Sequence, residues 1–311
     1  MVSRPTLPNT PPDALLAGAG DAVLAASRIG DGHRGSVLLA HGFGQTRTAW
    51  DDTARVLAEA GYAALSYDAR GHGESTRNPA GLRYDGTQFT DDMIVLAGEM
   101  SPPPVLVAAS MGGLFGLLAE SRWPGLFRAM VLVDITPRWE TAGVERILRF
   151  MTAYPDGFDS LHAAADAIAA YVPHRPRKSD QALRKLLHEG EGGRWYWHWD
   201  PRLIDELAGG DAFAQQEVLL QAAAQVRCPV LLVSGGRSDL VTPQTVAEFL
   251  ALVPHAQHVR LADATHMLAG DENSAFTAAV LHYLDALPPV HAATASPDIK
   301  HATEYVPGAG P

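Results

Sequence analysis

The chain has 311 residues, of which 47% are hydrophobic and 19% charged, with 24 basic against 35 acidic side chains and a formal net charge of −11. Its length suffices for a sizeable core, about two domains at roughly 100–200 residues each. The acidic balance argues against nucleic acid or an anionic membrane surface as a partner, because both need a concentrated basic footprint. A single cysteine, Cys228, excludes an internal disulfide framework and a cysteine-based metal cluster.

In chain order, residues 1–12 are rich in Pro and Thr and lack the apolar run of a signal peptide. No apolar stretch approaches the ~20 residues a membrane span needs. With one unpaired cysteine, this makes the cytoplasm the expected compartment. Six short apolar runs then follow, each ending in a turn signal. Residues 36–40 lead into His41-Gly42-Phe43-Gly44, 63–67 into Asp68-Ala69-Arg70-Gly71-His72-Gly73, and 105–109 into Ser110-Met111-Gly112-Gly113. Residues 130–135 lead into Thr136-Pro137, 229–233 into Ser234-Gly235-Gly236, and 258–261 into Ala262-Asp263. Continuously apolar strands mark a parallel sheet covered on both faces. Between them lie helical stripes: Trp50/Ala54/Leu57/Ala58 stopped by Gly61, Met111/Leu114/Phe115/Leu118, and Phe276/Val280/Tyr283/Leu287. Alternating strand and helix predicts an α/β fold with a mostly parallel central sheet and helices on both faces.

Residues 137–226 break the alternation. They carry only helical patterns, such as Val144/Ile147/Leu148/Met151 and Leu161/Ala164/Ala165/Ile168/Val172, punctuated by Pro173 and Pro176. The expected organisation is one core, residues 20–136 and 227–287, interrupted by a helical cap at 137–226. Residues 1–19 and 288–311 are expected to be loosely ordered ends.

The strand-to-helix junction Ala108-Ala109-Ser110-Met111-Gly112 approximates the nucleophile elbow G-x-S-x-G, with Ala108 at the first small position. Small residues are needed because the turn brings strand and helix backbones together. The plain alternative is a Ser that only caps a helix. His41-Gly42-Phe43-Gly44 follows another strand and can aim a backbone N–H into the same crevice, which nominates Phe43 and Met111 as oxyanion donors. His41 itself reads as a structural side chain bonding the loop. A nucleophilic Ser needs a base and an orienting acid, in the chain order Ser, Asp or Glu, His. Asp239 follows strand 229–233 and His266 follows strand 258–261, which puts both on the sheet edge that carries Ser110. Asp134, at the end of 130–135, is a second candidate for the acid. Of thirteen histidines, only His266 follows a sheet strand at the required point.

At these residues the chain resembles the capped serine hydrolases of the α/β-hydrolase fold. The matching pieces are HGFG at 41–44, DARGHGES at 68–75, ASMGG at 109–113, GRSD at 236–239 and TH at 265–266. The resemblance covers the core but neither the cap nor the tail. It implies attack by Ser110 on a carbonyl carbon, proton transfer through His266, orientation by Asp239 and an acyl-enzyme released by water. It implies no metal and no organic cofactor. Asp68, Arg70, Gly71, Gly73 and Ser75 are read as a structural loop. Ser at the elbow argues against epoxide hydrolase and haloalkane dehalogenase chemistry, which use Asp there. Ester or lactone hydrolysis of a small molecule is the expected activity, with C–C bond hydrolysis, thioester hydrolysis and cofactor-free perhydrolysis as neighbours on the same triad. A non-catalytic small-molecule-binding protein is the alternative from another class. Three of the six Trp fall in Trp195-Tyr196-Trp197-His198-Trp199, so Trp197, with Phe150 and Tyr154, is nominated for an apolar or aromatic substrate pocket. Packing of cap helices explains the same cluster.

Overall fold

The computed structural model of the chain describes residues 13–172, 177–205, 212–262, 264–265 and 274–289, with 212 and 213 described by their backbone alone. Eight strands form one sheet: β1 (Ala14–Ala17), β2 (Val23–Ile29), β3 (Ser36–Ala40), β4 (Ala63–Tyr67), β5 (Val105–Ala109), β6 (Ala129–Val133), β9 (Val230–Gly235) and β10 (Gln257–Leu261). Their order is β1-β2-β4-β3-β5-β6-β9-β10. Pairing is parallel from β4 to β10, and β2 runs antiparallel to both β1 and β4.

The continuous apolar runs arise because alternate residues of every central strand meet a helical layer. On one face Val37, Leu39, Val105, Val107, Val131, Val133, Leu231 and Val233 pack against α1 (Asp51–Glu59) and α9 (Ser274–Ala286), through Leu57, Phe276 and Val280. On the other, Leu38, Leu106, Leu132 and Leu232 meet α2 (Gly86–Gly98), α3 (Met111–Arg122) and α8 (Pro243–Leu252), through Met93, Leu117 and Phe249. The strand side chains are essentially inaccessible, and each such burial is worth about 1.5–3 kcal/mol.

Strands β3, β4 and β5 occupy the expected residues. The expectation that 1–19 is loosely ordered is corrected by β1, which lies inside that range. Its sequence hides it: ALLA has little strand propensity of its own, and order comes from pairing with β2. The Ala25 N–H donates to Ser75 Oγ at 2.9 Å and the Val23 N–H to Thr76 Oγ1 at 2.9 Å, which fastens β2 to the loop after β4.

The insertion contains α4 (Thr141–Thr152), α5 (Leu161–Tyr171), α6 (Asp180–Leu183) and α7 (Ala212–Gln225). It is not wholly helical. β7 (Leu187–Glu189) and β8 (Trp195–Trp197) form an antiparallel pair, because Trp, Tyr and Trp suit a pleated surface and Gly192 and Gly193 supply the turn at φ +73° and +76°. The cap has its own small core around Phe158, Leu161, Ile168, Leu183 and Trp195. Helix α7 packs on α3 and α8, with Ala223 and Val226 joining the main core.

Candidate active site

Ser110 stands between the last residue of β5 and the first of α3 and has φ +47°, ψ −118°. Its N–H still bonds the Val133 carbonyl of the next strand at 3.1 Å, while its own carbonyl accepts from Gly113 N–H at 2.9 Å to begin the helix. One residue thus completes a strand and starts a helix, a conformation that costs on the order of 1–3 kcal/mol for a side-chain-bearing residue. The small neighbours follow from the closeness of this turn to β3 and β6. A Cβ on Gly112 would lie 2.8 Å from the Ala40 carbonyl oxygen, and one on Gly113 2.6 Å from Ile135 Cγ2.

The loop after β3 closes as a tight turn, with Gln45 N–H donating to the Gly42 carbonyl at 3.1 Å and Gly44 at φ +75°. A Cβ on Gly42 would lie 3.1 Å from Ser110 Cβ, so the turn abuts the elbow. Among the described residues neither the Phe43 N–H nor the Met111 N–H makes a hydrogen bond. The latter is the orphan donor expected at a helix start. His41 is buried; its Nδ1–H donates to the Gly42 carbonyl at 2.8 Å and its Nε2 accepts from Ala69 N–H at 2.9 Å. Burial holds its pKa below the ordinary histidine value. The loop after β4 is scaffold. Asp68 is fully buried, bonds the Arg47 N–H at 2.7 Å and pairs with its guanidinium at 2.6 Å, and Arg70 pairs with Asp92 at 2.7 Å.

The two candidate acids have different surroundings. Asp134 follows β6 with φ +49°; it and Ser110 are the only side-chain-bearing residues with positive φ among the described residues. The register pairs Ala109 with Val133, so Ser110 and Asp134 emerge side by side. Asp134 is fully buried. Its Oδ1 accepts from Gly235 N–H at 2.7 Å, and its Oδ2 accepts from the Ser238 hydroxyl at 2.5 Å. That hydroxyl itself accepts from Leu240 and Val241 N–H, which directs its proton to Asp134. Asp239 lies on the cavity rim with its side chain 34% exposed, and its Oδ2 is 2.5 Å from Arg146 Nη2 of α4. That oxygen is itself buried and makes no hydrogen bond among the described residues.

His266 lies outside the described residues. The residues before it lie beside the loop that follows β9: Arg237 N–H donates to the Ala264 carbonyl at 2.9 Å, and Thr265 borders the cavity. Two other histidines are engaged elsewhere, His258 with Ser234 Oγ at 2.8 Å and His255 with the Cys228 carbonyl at 3.0 Å. Cys228 is held well above the usual thiol range by burial beside Glu120, so it is inert as a nucleophile at neutral pH.

A cavity of about 1320 Å³ opens over Ser110 between the core loops and the cap. Gly42, Phe43 and Ser110 form its floor, and Ile147, Phe150, Met151, Ile168, Tyr171 and Trp197 its apolar wall. Phe150 stacks on Tyr171 with ring centroids 4.2 Å apart and meets Trp197 edge-on at 5.9 Å. Tyr154 is not on this wall; it packs on Phe158 at 4.5 Å and is 38% exposed. It lies beyond the last residue of α4, Thr152, so it does not continue the helix face that carries Phe150. Among the described residues no group of three or more His, Cys, Asp or Glu is arranged to hold a metal ion, and no helix is long and apolar enough to cross a membrane. Sequence reasoning missed Arg146 and the buried pair His72 and His198, whose roles depend on contacts between the cap and the core loops.

Several known proteins are similar to this chain. The chain is 28% identical over 246 residues to a 3-hydroxybutyrate-oligomer hydrolase of Cupriavidus necator, covering 74% of this chain and 82% of that one. It is 29% identical over 260 residues to the esterase Rv0045c of Mycobacterium tuberculosis, covering 80% and 82%. The crystal structure of that esterase superposes with a TM-score of 0.66 at 27% identity, covering 89% of this chain and 93% of that one. An E-2-(acetamidomethylene)succinate hydrolase shares the fold with a TM-score of 0.74 at 23% identity, covering 86% and 97%. A model of the alpha/beta hydrolase family matches residues 37–280, and the chain belongs to that family.

Proposed function

We propose that this protein is a serine hydrolase that cleaves a carboxylic ester or lactone through an acyl-enzyme on Ser110. The observation that carries the reading is the strained elbow at Ser110, with the Phe43 and Met111 N–H groups unbonded beside it among the described residues. Strain of this kind persists where the surrounding structure over-determines it, and an elbow that presents Oγ at a sheet edge is what acyl transfer requires. Relatives named as an esterase and an oligomer hydrolase support the ester class.

In this mechanism Ser110 Oγ attacks the carbonyl carbon while His266 takes its proton. The carbonyl oxygen becomes an oxyanion held by Phe43 N–H and Met111 N–H, each donor contributing about 2.7–4 kcal/mol. The tetrahedral intermediate collapses, His266 delivers the proton to the leaving alkoxide, and water repeats the sequence on the acyl-enzyme. For the acid, the sequence expectation was Asp239. The surroundings of Asp134 support it instead: a buried carboxylate fixed by two donors beside Ser110 can hold an imidazole, whereas Asp239 lines the cavity in an ion pair with the exposed Arg146. The apolar wall suits an apolar or aromatic acyl or alcohol group. The test is turnover of short p-nitrophenyl esters. The wild type is expected to turn over, and Ser110→Ala to lose about 10⁵-fold or more in kcat. Equal rates in the two proteins would refute the reading.

A further inference from the structure

Three histidines, His41, His72 and His198, lie buried in a row beneath the oxyanion turn, with ring centroids 5.1 Å apart for the first pair and 6.0 Å for the second. Each holds a different peptide plane of that turn. The plane that contains the Phe43 N–H has the Gly42 carbonyl at its other end, and this carbonyl accepts from His41 Nδ1–H at 2.8 Å. The next plane contains the Gly44 N–H, which donates to His72 Nε2 at 3.4 Å. The third contains the Gly44 carbonyl, which accepts from His198 Nε2–H at 3.1 Å.

The bonding also fixes each tautomer. His72 Nδ1 faces the Arg70 carbonyl at 3.1 Å and must carry the proton, leaving Nε2 as the acceptor. His198 Nδ1 accepts from Gly73 N–H at 2.9 Å, so its proton is on Nε2. His41 and His72 belong to core loops. His198 comes from the cap, one residue past β8, 154 positions from the carbonyl it holds. Its neighbours dock the same stretch: Trp199 packs its ring 5.2 Å from Phe43, and Asp200 N–H donates to the Gly71 carbonyl at 2.7 Å.

We propose that His198 is a positioning residue: through the Gly44 carbonyl it locks the oxyanion turn, so that correct seating of the cap aims the Phe43 N–H at the reacting carbonyl. The turn acts through preorganisation. A turn with a glycine at φ +75° has other conformations open to it, and an oxyanion donor is useful only if its direction is set before charge develops. A cap that fails to dock removes the third hold and leaves the turn free to rotate. This inference rests on the acyl-transfer reading above.

Two substitutions separate the hold on the turn from the hold on the core. His198→Gln keeps an N–H donor near the Nε2 position and the bond to the Gly44 carbonyl. His198→Asn keeps an acceptor near Nδ1 for Gly73 but cannot reach Gly44. In the full-length protein with p-nitrophenyl butyrate, His198→Asn is expected to lower kcat about tenfold or more with KM within about threefold, since only transition-state contacts are lost. The affinity for benzeneboronic acid, which forms a tetrahedral adduct on serine, should fall by the same factor, and His198→Gln should restore both. Wild-type kcat in His198→Asn, even with a lowered melting temperature, overturns the proposal, and so does an equal loss of kcat in both variants. Wild-type turnover that survives Ser110→Ala overturns the acyl-transfer reading and this one with it, and is told apart by needing no change at His198.

Discussion

At the carboxyl edge of the core, Ser110 and Asp134 are forced into positive φ at the ends of adjacent strands, and main-chain bonds to the neighbouring strand hold each of them, Ser110 N–H to Val133 and Asp134 N–H to Val233. The cap above them adds side-chain contacts to its main-chain bond from Asp200 to Gly71: His198 on Gly44 and Gly73, Arg77 on the His198 carbonyl, and Arg146 on Asp239. The contrast teaches where each kind of change should register. A core residue carries its geometry in the backbone, so substituting it removes a chemical group from a frame that stays put. A cap residue sets alignment and shape, so substituting it grades the activity.

The largest expected effect that would sharpen this contrast compares the two acids. Asp134→Asn should reduce kcat about 10³–10⁴-fold, because an amide stabilises the wrong imidazole tautomer and cannot balance the imidazolium. Asp239→Asn removes an ion pair at a partly exposed cap contact and should cost less than about tenfold. Loss of turnover in Asp239→Asn with activity retained in Asp134→Asn would restore the acid read from the sequence.

A second, intermediate effect lies in stability. Burial holds the pKa values of His41, His72 and His198 below the ordinary value, that of His198 at about 3, with His72 and His198 further disfavoured by neighbouring histidine and Arg77 charges. The native state therefore keeps these rings neutral, while the unfolded chain takes up protons below about pH 6.5. Their contribution is complete above that pH and is lost as pH falls toward the native values, by up to about 1.4 kcal/mol per pH unit for each ring. Urea denaturation at pH 7.5 and pH 5 should show the loss, and His198→Gln should flatten the slope by about one proton. An unchanged slope in that variant would mean that His198 is protonated in the native protein.

The smallest effect concerns the cavity wall. Trp197→Ala removes an aromatic face from a pocket shared with Phe150 and should change relative kcat/KM among p-nitrophenyl acyl chain lengths by about 10-fold, the scale of a few methylene contacts. Equal loss on every ester, together with a lower melting temperature, would assign Trp197 to packing alone.

What the sequence revealed follows the same division. Strands 36–40, 63–67 and 105–109 were legible because burial on both faces demands uninterrupted apolar residues, and the elbow was legible because Gly112 and Gly113 answer a steric demand of the turn. β1 was hidden, since Ala14–Ala17 owes its conformation to its partner strand. The β7–β8 pair was hidden inside a segment dominated by helical spacing, although Trp195-Tyr196-Trp197 beside Gly192 and Gly193 carried a strand signal. The relation between Asp134 and Ser238 joins residues 104 apart, and the histidine row joins the cap to two core loops. Such contacts are set by tertiary docking and leave no local pattern.

The most direct measurement is mass spectrometry of the protein after reaction with a fluorophosphonate. The account predicts a single stoichiometric phosphonyl adduct on the peptide carrying Ser110, formed in the wild type and abolished by Ser110→Ala. An unlabelled Ser110 peptide in protein that turns over p-nitrophenyl esters, or an adduct on another residue, would contradict it.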